Sequence, residues 1–255
     1  MIDSPRTNIG SRALAVSVVV PVCNEADNVQ PLCDEIRSAL REFRELEIIF
    51  VDDGSTDDTV AQLRAARTRI PELRVLRHSA RCGQSVALHT GVRAARHEWV
   101  VTLDGDGQND PADIPKFFDA LARDASGKVK LIIGDRRLAR QDSWVRLWSS
   151  RIANGVRRRL LNDGTPDTGC GIKLLHRATF LQLPVFNHMH RFLPALYQRE
   201  GARVLSVPVN HRPRVRGESK YGINNRLWVG IADLFAVRWL IRRAPRLVQV
   251  QEDGG

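Results

Sequence analysis

Short β-branched apolar runs alternate with stretches of helical spacing along the first half of the chain. Ala15–Val20 (AVSVVV) stops at Pro21 and predicts a buried parallel strand. Val29, Leu32, Ile36, Leu40 and Phe43 then recur at helical spacing over Val29–Phe43. Leu46–Val51 predicts a second strand, halted by Asp52-Asp53-Gly54-Ser55, and Ser55 or Thr56 is placed to cap a helix running to Thr68. Leu73–Leu76, Trp99–Leu103 and Val129–Gly134 predict three further strands. A helix over Ser85–Arg96 separates the first two of these, and a helix over Pro111–Arg123 the last two. The alternation predicts an α/β fold: a mainly parallel sheet with helices on both faces.

Every one of these strands ends on polar residues. They are Cys23, Asn24 and Glu25; Asp52 and Asp53; Arg81, Gly83 and Gln84; Asp104, Asp106 and Gln108; and Asp135, Arg136 and Arg137. Ligands bind at the carboxyl ends of strands in such sheets, so five polar termini on one edge predict a binding cleft. The most informative stretch is Trp99–Pro111, WVVTLDGDGQNDP. Asp104 and Asp106, separated by Gly105, are spaced to converge on one hard divalent cation, with Gln108 as a third oxygen donor. The competing reading is a polar turn before a helix that starts at Pro111.

After Gly134 the pattern changes. Trp144–Leu161 is a strongly basic helical stretch, Asp163–Gly171 is Gly-rich and irregular, and Lys173–Leu183 mixes strand and helix signals. Arg191–Glu200 predicts a helix, Arg203–Val209 a strand, and Pro213–Gly222 a charged loop. Leu227–Ile241 is apolar nearly all round, interrupted by Asp233 and Arg238 and followed by Arg242, Arg243 and Arg246. It falls short of the roughly 20 apolar residues that span a bilayer. Two readings stand: a helix packed on its own domain or a second subunit, and a helix in a membrane interface with Trp228 and Trp239 near the headgroups. The expected organisation is a flexible N-terminus over 1–13, one catalytic-type domain over 14–223, an apolar and basic helix over 224–244, and a disordered tail over 245–255.

Charge changes this picture more than composition does. The 39 Lys and Arg against 29 Asp and Glu give a formal +10 at pH 7, with a pI near 10.3. An anionic partner is implied: nucleic acid, a phosphorylated substrate or an anionic membrane. Aromatic residues are only 6% of the chain, and no RRM or zinc-finger signature is present, which argues against nucleic acid. Cys23, Cys33, Cys82 and Cys170 form no CxxC pair and read as free thiols of a reducing cytoplasm. Met1–Arg12 is polar, without the apolar core of a signal peptide.

VVVPVCNEADNV, VDDGSTDDT, RCGQSVALHTG, LDGDGQNDP and RVRGESKYG, in this order from Val16 to Gly222, resemble the inverting GT-A-fold glycosyltransferases of family 2. The resemblance is greatest to the polyprenyl-phosphate branch, which holds dolichol-phosphate mannose synthases and bacterial undecaprenyl-phosphate sugar transferases. It implies a GT-A fold and transfer of a sugar from GDP-mannose or a UDP-sugar to a polyprenyl phosphate, at the inner face of the cytoplasmic membrane. By that resemblance Pro21, Asn24 and Glu25 line the nucleobase and ribose pocket, and Asp52 or Asp53 hydrogen-bonds the base. Gly83 and Gln84 lie on the donor side, Gln84 replacing a Lys frequent in dolichol-type enzymes. Asp104, Asp106 and Gln108 match a DxDxQ site for Mg2+ or Mn2+ on the donor diphosphate. Arg136 matches the Arg of a GxR motif. Arg146 and Ser150 match an Arg and a Ser that hold the acceptor phosphate. Arg214, Ser219 and Lys220 match an RxxGxSK loop that closes over both phosphates.

The departures are specific. Cys23 stands where relatives often have Tyr, and Gly105 and Gly107 replace bulkier residues. Some relatives place a catalytic carboxylate within the segment matching Asp167–Lys173. Gly171 occupies that position here, leaving Asp167 as the candidate base. His190 and Arg191 are further candidates for sugar or phosphate contacts. The expected location is cytoplasmic and peripheral, with no transmembrane helix, a membrane surface or membrane protein as partner, no nucleic acid, and a homo-oligomer left open. A family 2 enzyme with a non-lipid acceptor is the alternative, and a basic nucleic-acid-binding protein the remote one.

Overall fold

The computed structural model describes residues 15–137, 160–161, 163–213 and 224–244, with side chains in the last segment from 230 onward. The strands are β1 (Ala15–Val22), β2 (Glu45–Asp52), β3 (Leu73–Arg77), β4 (Trp99–Thr102), β5 (Val129–Asp135), β6 (Lys173–His176) and β7 (Arg203–Pro208). The helices are α1 (Ala26–Ala39), α2 (Thr59–Arg69), α3 (Gln84–Ala94), α4 (Ile114–Ala122), α5 (Arg177–Leu181), α6 (Leu193–Arg199) and α7 (Asn224–Arg242). One seven-stranded sheet runs in the order β3-β2-β1-β4-β6-β5-β7.

The strand sequences are continuous apolar runs because both faces of the sheet are covered. Val18 and Val20 point into a core under α1 and α4, with Ile36, Ile48, Phe50 and Phe117. Val19 points the other way, with Ile49, Val51, Leu88, Leu131, Leu175 and Leu196. Successive side chains of a strand alternate between faces, so each core takes every second residue. Each such fully buried Val, Leu or Ile contributes about 1.5–3 kcal/mol relative to an exposed one.

β1 pairs in parallel with β2 (Val18↔Ile48) and with β4 (Val18↔Val101). β6 is antiparallel to both its neighbours, pairing Thr102↔Lys173 with β4 and Ile133↔Lys173 with β5. β6 therefore starts where β4 and β5 end. That reversal brings residues 163–173 to the edge of the sheet that carries the polar strand ends.

Two local expectations are corrected. Ser55 and Thr56 do not cap α2, which begins at Thr59 after Asp58. They serve the β1 loop instead: the Asn24 amide donates to Ser55 Oγ (2.8 Å), and the Thr56 amide to Asn24 Oδ1 (2.8 Å). The segment after Asp110 opens as a 3-10 turn, Pro111–Asp113, before α4, with Asp110 accepting from the Ala112 amide at 3.0 Å. Trp144–Leu161, apart from Leu160 and Leu161, and the loop 214–222 lie outside the described residues, as do both termini. Among the described residues no helix is long and apolar enough to cross a membrane.

Candidate active site

The loop after β4 is clamped from inside. The Asp104 amide donates to the side chain of buried Asn109 (2.9 Å), and the Gln108 amide to Asp106 Oδ1 (3.1 Å). The Gln108 carbonyl accepts from the Arg212 amide at 3.0 Å. A Cβ on Gly105 would meet Val22 Cγ1 at 2.5 Å and the Pro21 carbonyl oxygen at 3.1 Å, so this residue must be small for the loop to lie on the end of β1. Gly107 has φ +73°, a left-handed conformation that strains any side-chain-bearing residue. The two glycines are thus what a tight DxDxQ loop packed on β1 requires.

Asp104 is the centre of the cluster. Its Oδ1 accepts from Gln84 Nε2 at 2.9 Å. A Cβ at Gly171 would overlap its carboxyl group and lie 2.6 Å from Asn109 Oδ1. Burial pushes the Asp104 carboxyl above its ordinary range; Lys173 opposes this, and the neighbouring Asp106 adds to it. Lys173, itself buried, donates through Nζ to the Cys170 carbonyl, and burial pulls its ammonium down. Arg136 grips Asp167 with two prongs, Nε to Oδ2 at 2.8 Å and Nη2 to Oδ1 at 3.0 Å. Burial would lower the Arg136 guanidinium, but the bonds and charge of Asp167 outweigh it and raise it. Cys170 is pushed up to about 11, chiefly by burial, and stays a neutral thiol.

A divalent cation fits this donor set. Carboxylate oxygens of Asp104 and Asp106 on one tight loop suit Mg2+ or Mn2+. A cation there would offset the burial that disfavours ionised Asp104. Asp104, Asp106 and Asp167 against Arg136 and Lys173 leave one net negative charge, which a divalent ion turns to one positive, a setting for a diphosphate. A second trio, Asp53, His78 and Cys82, brings its ligand atoms within 4.8 Å of one another. It is better described as a brace. Asp53 accepts from the amides of Cys82 (2.8 Å) and Gly83 (2.7 Å) and bonds His78 Nδ1 (2.8 Å). Burial alone would push the Asp53 carboxyl up, but these partners hold it below its ordinary range. Asp52 is also buried, accepting from the Ser55 amide (3.2 Å) and lying 3.4 Å from Arg77 Nε. Both carboxylates shape the loops under Asn24, Gly83 and Gln84.

Glu25 is fixed by its amide bond to Thr59 Oγ1 and by Asn28, which donates to its carboxylate, both at 2.8 Å. Behind Gln84, Ser85 Oγ lies 2.8 Å from His190 Nδ1. Burial first, then Lys173, Arg191 and His188, push His190 down to about 3, so it is neutral at physiological pH. Of the residues expected from the sequence, Pro21, Asn24, Glu25, Asp52, Asp53, Gly83, Gln84, Asp104, Asp106, Gln108, Arg136 and Asp167 fall on this edge. Arg146, Ser150, Arg214, Ser219 and Lys220 lie outside the described residues. Sequence reasoning missed Asn109, His78 and Lys173; the one signal was a lysine inside an apolar run, GIKLL. A cavity of about 780 Å³ opens at the opposite edge, where Arg37, Arg44 and Arg96 pair with Glu72, Glu45 and Glu47. It is internally balanced and far from the strand carboxyl ends.

Solved structures share this architecture. Glucosyl-3-phosphoglycerate synthase from Mycobacterium tuberculosis, in complex with Mn2+, UDP-glucose and phosphoglyceric acid, superposes with a TM-score of 0.68 at 20% identity, over 91% of this chain and 81% of that one. A mannosyltransferase from Pyrobaculum calidifontis in complex with GDP-Man and Mn2+ gives 0.64 at 23%, over 91% and 66%. At these identities the likeness shows the GT-A fold. Sequence relatives are nearer. Dodecaprenyl-phosphate galacturonate synthase from Rhizobium johnstonii is 34% identical over 94% of this chain and 71% of its own length. Undecaprenyl-phosphate 4-deoxy-4-formamido-L-arabinose transferase from Edwardsiella ictaluri is 34% identical over 82% of this chain and 63% of its own. The family model for glycosyl transferase family 2 matches residues 17–183. With polyprenyl-phosphate sugar transferases among its relatives, the chain belongs to glycosyl transferase family 2.

Proposed function

We propose that this protein is an inverting glycosyltransferase that moves a sugar from a nucleotide-diphosphate donor to a polyprenyl phosphate, working peripherally at the inner face of the cytoplasmic membrane. The observation that carries the reading is the meeting of Asp104 and Asp106 with half-buried Arg136 and buried Lys173 at the carboxyl ends of β4, β5 and the start of β6. The curated relatives supply the acceptor class: both names carry a polyprenyl phosphate.

Asp104, Asp106 and Gln108 would hold Mg2+ or Mn2+, whose charge supports departure of the donor diphosphate. Asn24, Glu25 and the loop braced by Asp53 would seat the nucleoside, with Pro21, Asp52, Gly83 and Gln84 shaping that pocket. A phosphate oxygen of the acceptor attacks the anomeric carbon as the bond to the nucleoside diphosphate breaks on the opposite face. That oxygen is already anionic at pH 7, so the chain's task is to position two anions rather than to remove a proton. Arg136 neutralises the approaching phosphate, and Asp167 orients the guanidinium with both oxygens, a positioning role in place of a base. Arg146 and Ser150, with Arg214, Ser219 and Lys220, would complete the phosphate site.

The test is Asp106→Ala beside chelator-treated wild type. Both should lose transfer by at least about 100-fold while Asp106→Ala keeps its thermal midpoint. Transfer that survives either treatment would remove the metal role.

A further inference from the structure

We propose that the outward face of α7 is a docking surface for an anionic lipid bilayer, with Ile231, Phe235 and Trp239 entering the acyl boundary and Arg242 and Arg243 meeting the headgroup phosphates. The proposal deepens the polyprenyl-phosphate reading, because a lipid acceptor is met at its own bilayer.

α7 has two unlike faces. Leu234 and Val237 are buried in the core shared with α3 and α6, and the Arg199 guanidinium donates to the Leu240 carbonyl at 3.2 Å. Ile231, Phe235 and Trp239 are 38%, 59% and 60% exposed. Among the described residues the only other large apolar side chain so exposed is Val185. Single exposed apolar residues are ordinary on a protein surface. Three in a row at four-residue spacing are not: they form a ridge about 12 Å long on one side of the helix. Ala232 and Ala236 beside them are exposed too, so nothing bulky among the described residues covers the ridge.

The charge around the ridge selects its occupant. Arg242 and Arg243 are exposed at its end, and no acidic residue follows Asp233 on the helix. Asp233 is turned to the protein, 3.1 Å from His188 Nδ1. A second copy would bring like charges together in a chain that already carries +10. A bilayer with anionic headgroups meets the arginines with opposite charge and the aromatic ridge with acyl chains.

The face is also tied to the cleft. His188, in a left-handed conformation (φ +66°), starts the 3-10 turn Met189–Arg191. That turn sets His190 against Ser85, next to Gln84 on Asp104. Docking through α7 would therefore fix the cleft relative to the lipid plane.

The experiment is co-sedimentation of the full chain with vesicles free of polyprenyl phosphate. One set is phosphatidylcholine alone, the other three parts phosphatidylcholine to one part phosphatidylglycerol. Transfer to a water-soluble short-chain prenyl phosphate is measured in parallel, and circular dichroism checks folding. Wild type should bind the anionic vesicles. Phe235→Ser with Trp239→Ser should bind at least about tenfold more weakly, and Arg242→Gln or Arg243→Gln about fivefold more weakly each. Transfer to the short-chain acceptor should be unchanged in all of them. Wild type that ignores anionic vesicles, or a double variant that binds like wild type, overturns the proposal. So does a concentration-dependent dimer that the same double variant abolishes, which would give the ridge to a second copy. The expected binding losses without any transfer to the short-chain acceptor uphold the docking surface and refute the transferase reading instead.

Discussion

Gly171→Ala should cripple the site without replacing a charged residue. The added methyl would lie 2.6 Å from Asn109 Oδ1 and closer still to the Asp104 carboxyl group. Unstrained carbon contacts need about 3.5 Å, so Asn109 must retreat by roughly 1 Å and Asp104 by more. Neither move is local. Asn109 holds the Asp104 amide, and Asp104 Oδ1 is held by Gln84. Misplacement on this scale costs about 100-fold in turnover, and loss of a metal-supporting contact costs about 10–100-fold in metal affinity. Overpacking should lower stability by about 1–3 kcal/mol. Mn2+ titration followed by electron paramagnetic resonance reads the affinity directly, without knowledge of the sugar. Gly230→Ala on α7 is the control, since a Cβ there meets nothing within 4 Å. If Gly171→Ala binds Mn2+ within about twofold of wild type, the placement of Asp104 as a metal ligand is wrong.

His190 gives a pH test. Its folded value is held down to about 3 from an ordinary 6.5. As pH falls below 6.5 the unfolded chain takes up a proton that the folded chain refuses, so stability drops progressively toward pH 3. His190→Gln should flatten denaturation midpoints between about pH 4 and 6.5, where this group contributes at most about 1.4 kcal/mol per pH unit; equal slopes in both proteins would refute the burial. Arg136→Lys removes the two-pronged grip on Asp167 and should lower kcat/KM by about 100-fold. Asp167→Asn should lower kcat/KM by about tenfold or more with the acidic limb of the pH–rate profile retained; loss of that limb would make Asp167 the base.

Much of the fold was legible because of where the strands lie. Val18, Val19 and Val20 are all fully buried, so β1 shows in the sequence as an uninterrupted apolar run. β6 showed only within the mixed strand and helix signals of Lys173–Leu183, being four residues that open with a lysine and run into α5. Its reversed direction, which delivers Lys173 and Gly171 to Asp104, depends on pairing with β4 and β5 that no local pattern encodes. Asp104 and Asp106 stood out as carboxylates closing an apolar strand. Asn109 did not, because in sequence it is one more polar residue of a turn, and only its burial against the Asp104 amide reveals a clamp. Gly105 and Gly107 looked like losses of side chain; contact with β1 and a left-handed φ explain them. The apolar C-terminal segment was divided between packing and interface, and α7 supports packing on one side while leaving Phe235 and Trp239 exposed on the other.

Sugar transfer to lipid tests the central claim most directly. The full chain is incubated with Mn2+, undecaprenyl phosphate and each of a panel of radiolabelled GDP- and UDP-sugars, and label in the organic extract is counted. The account predicts lipid-extractable product from at least one donor, absent with Asp104→Asn and with Asp106→Ala. Product that persists in those variants, or label that passes only to water-soluble acceptors, would contradict it.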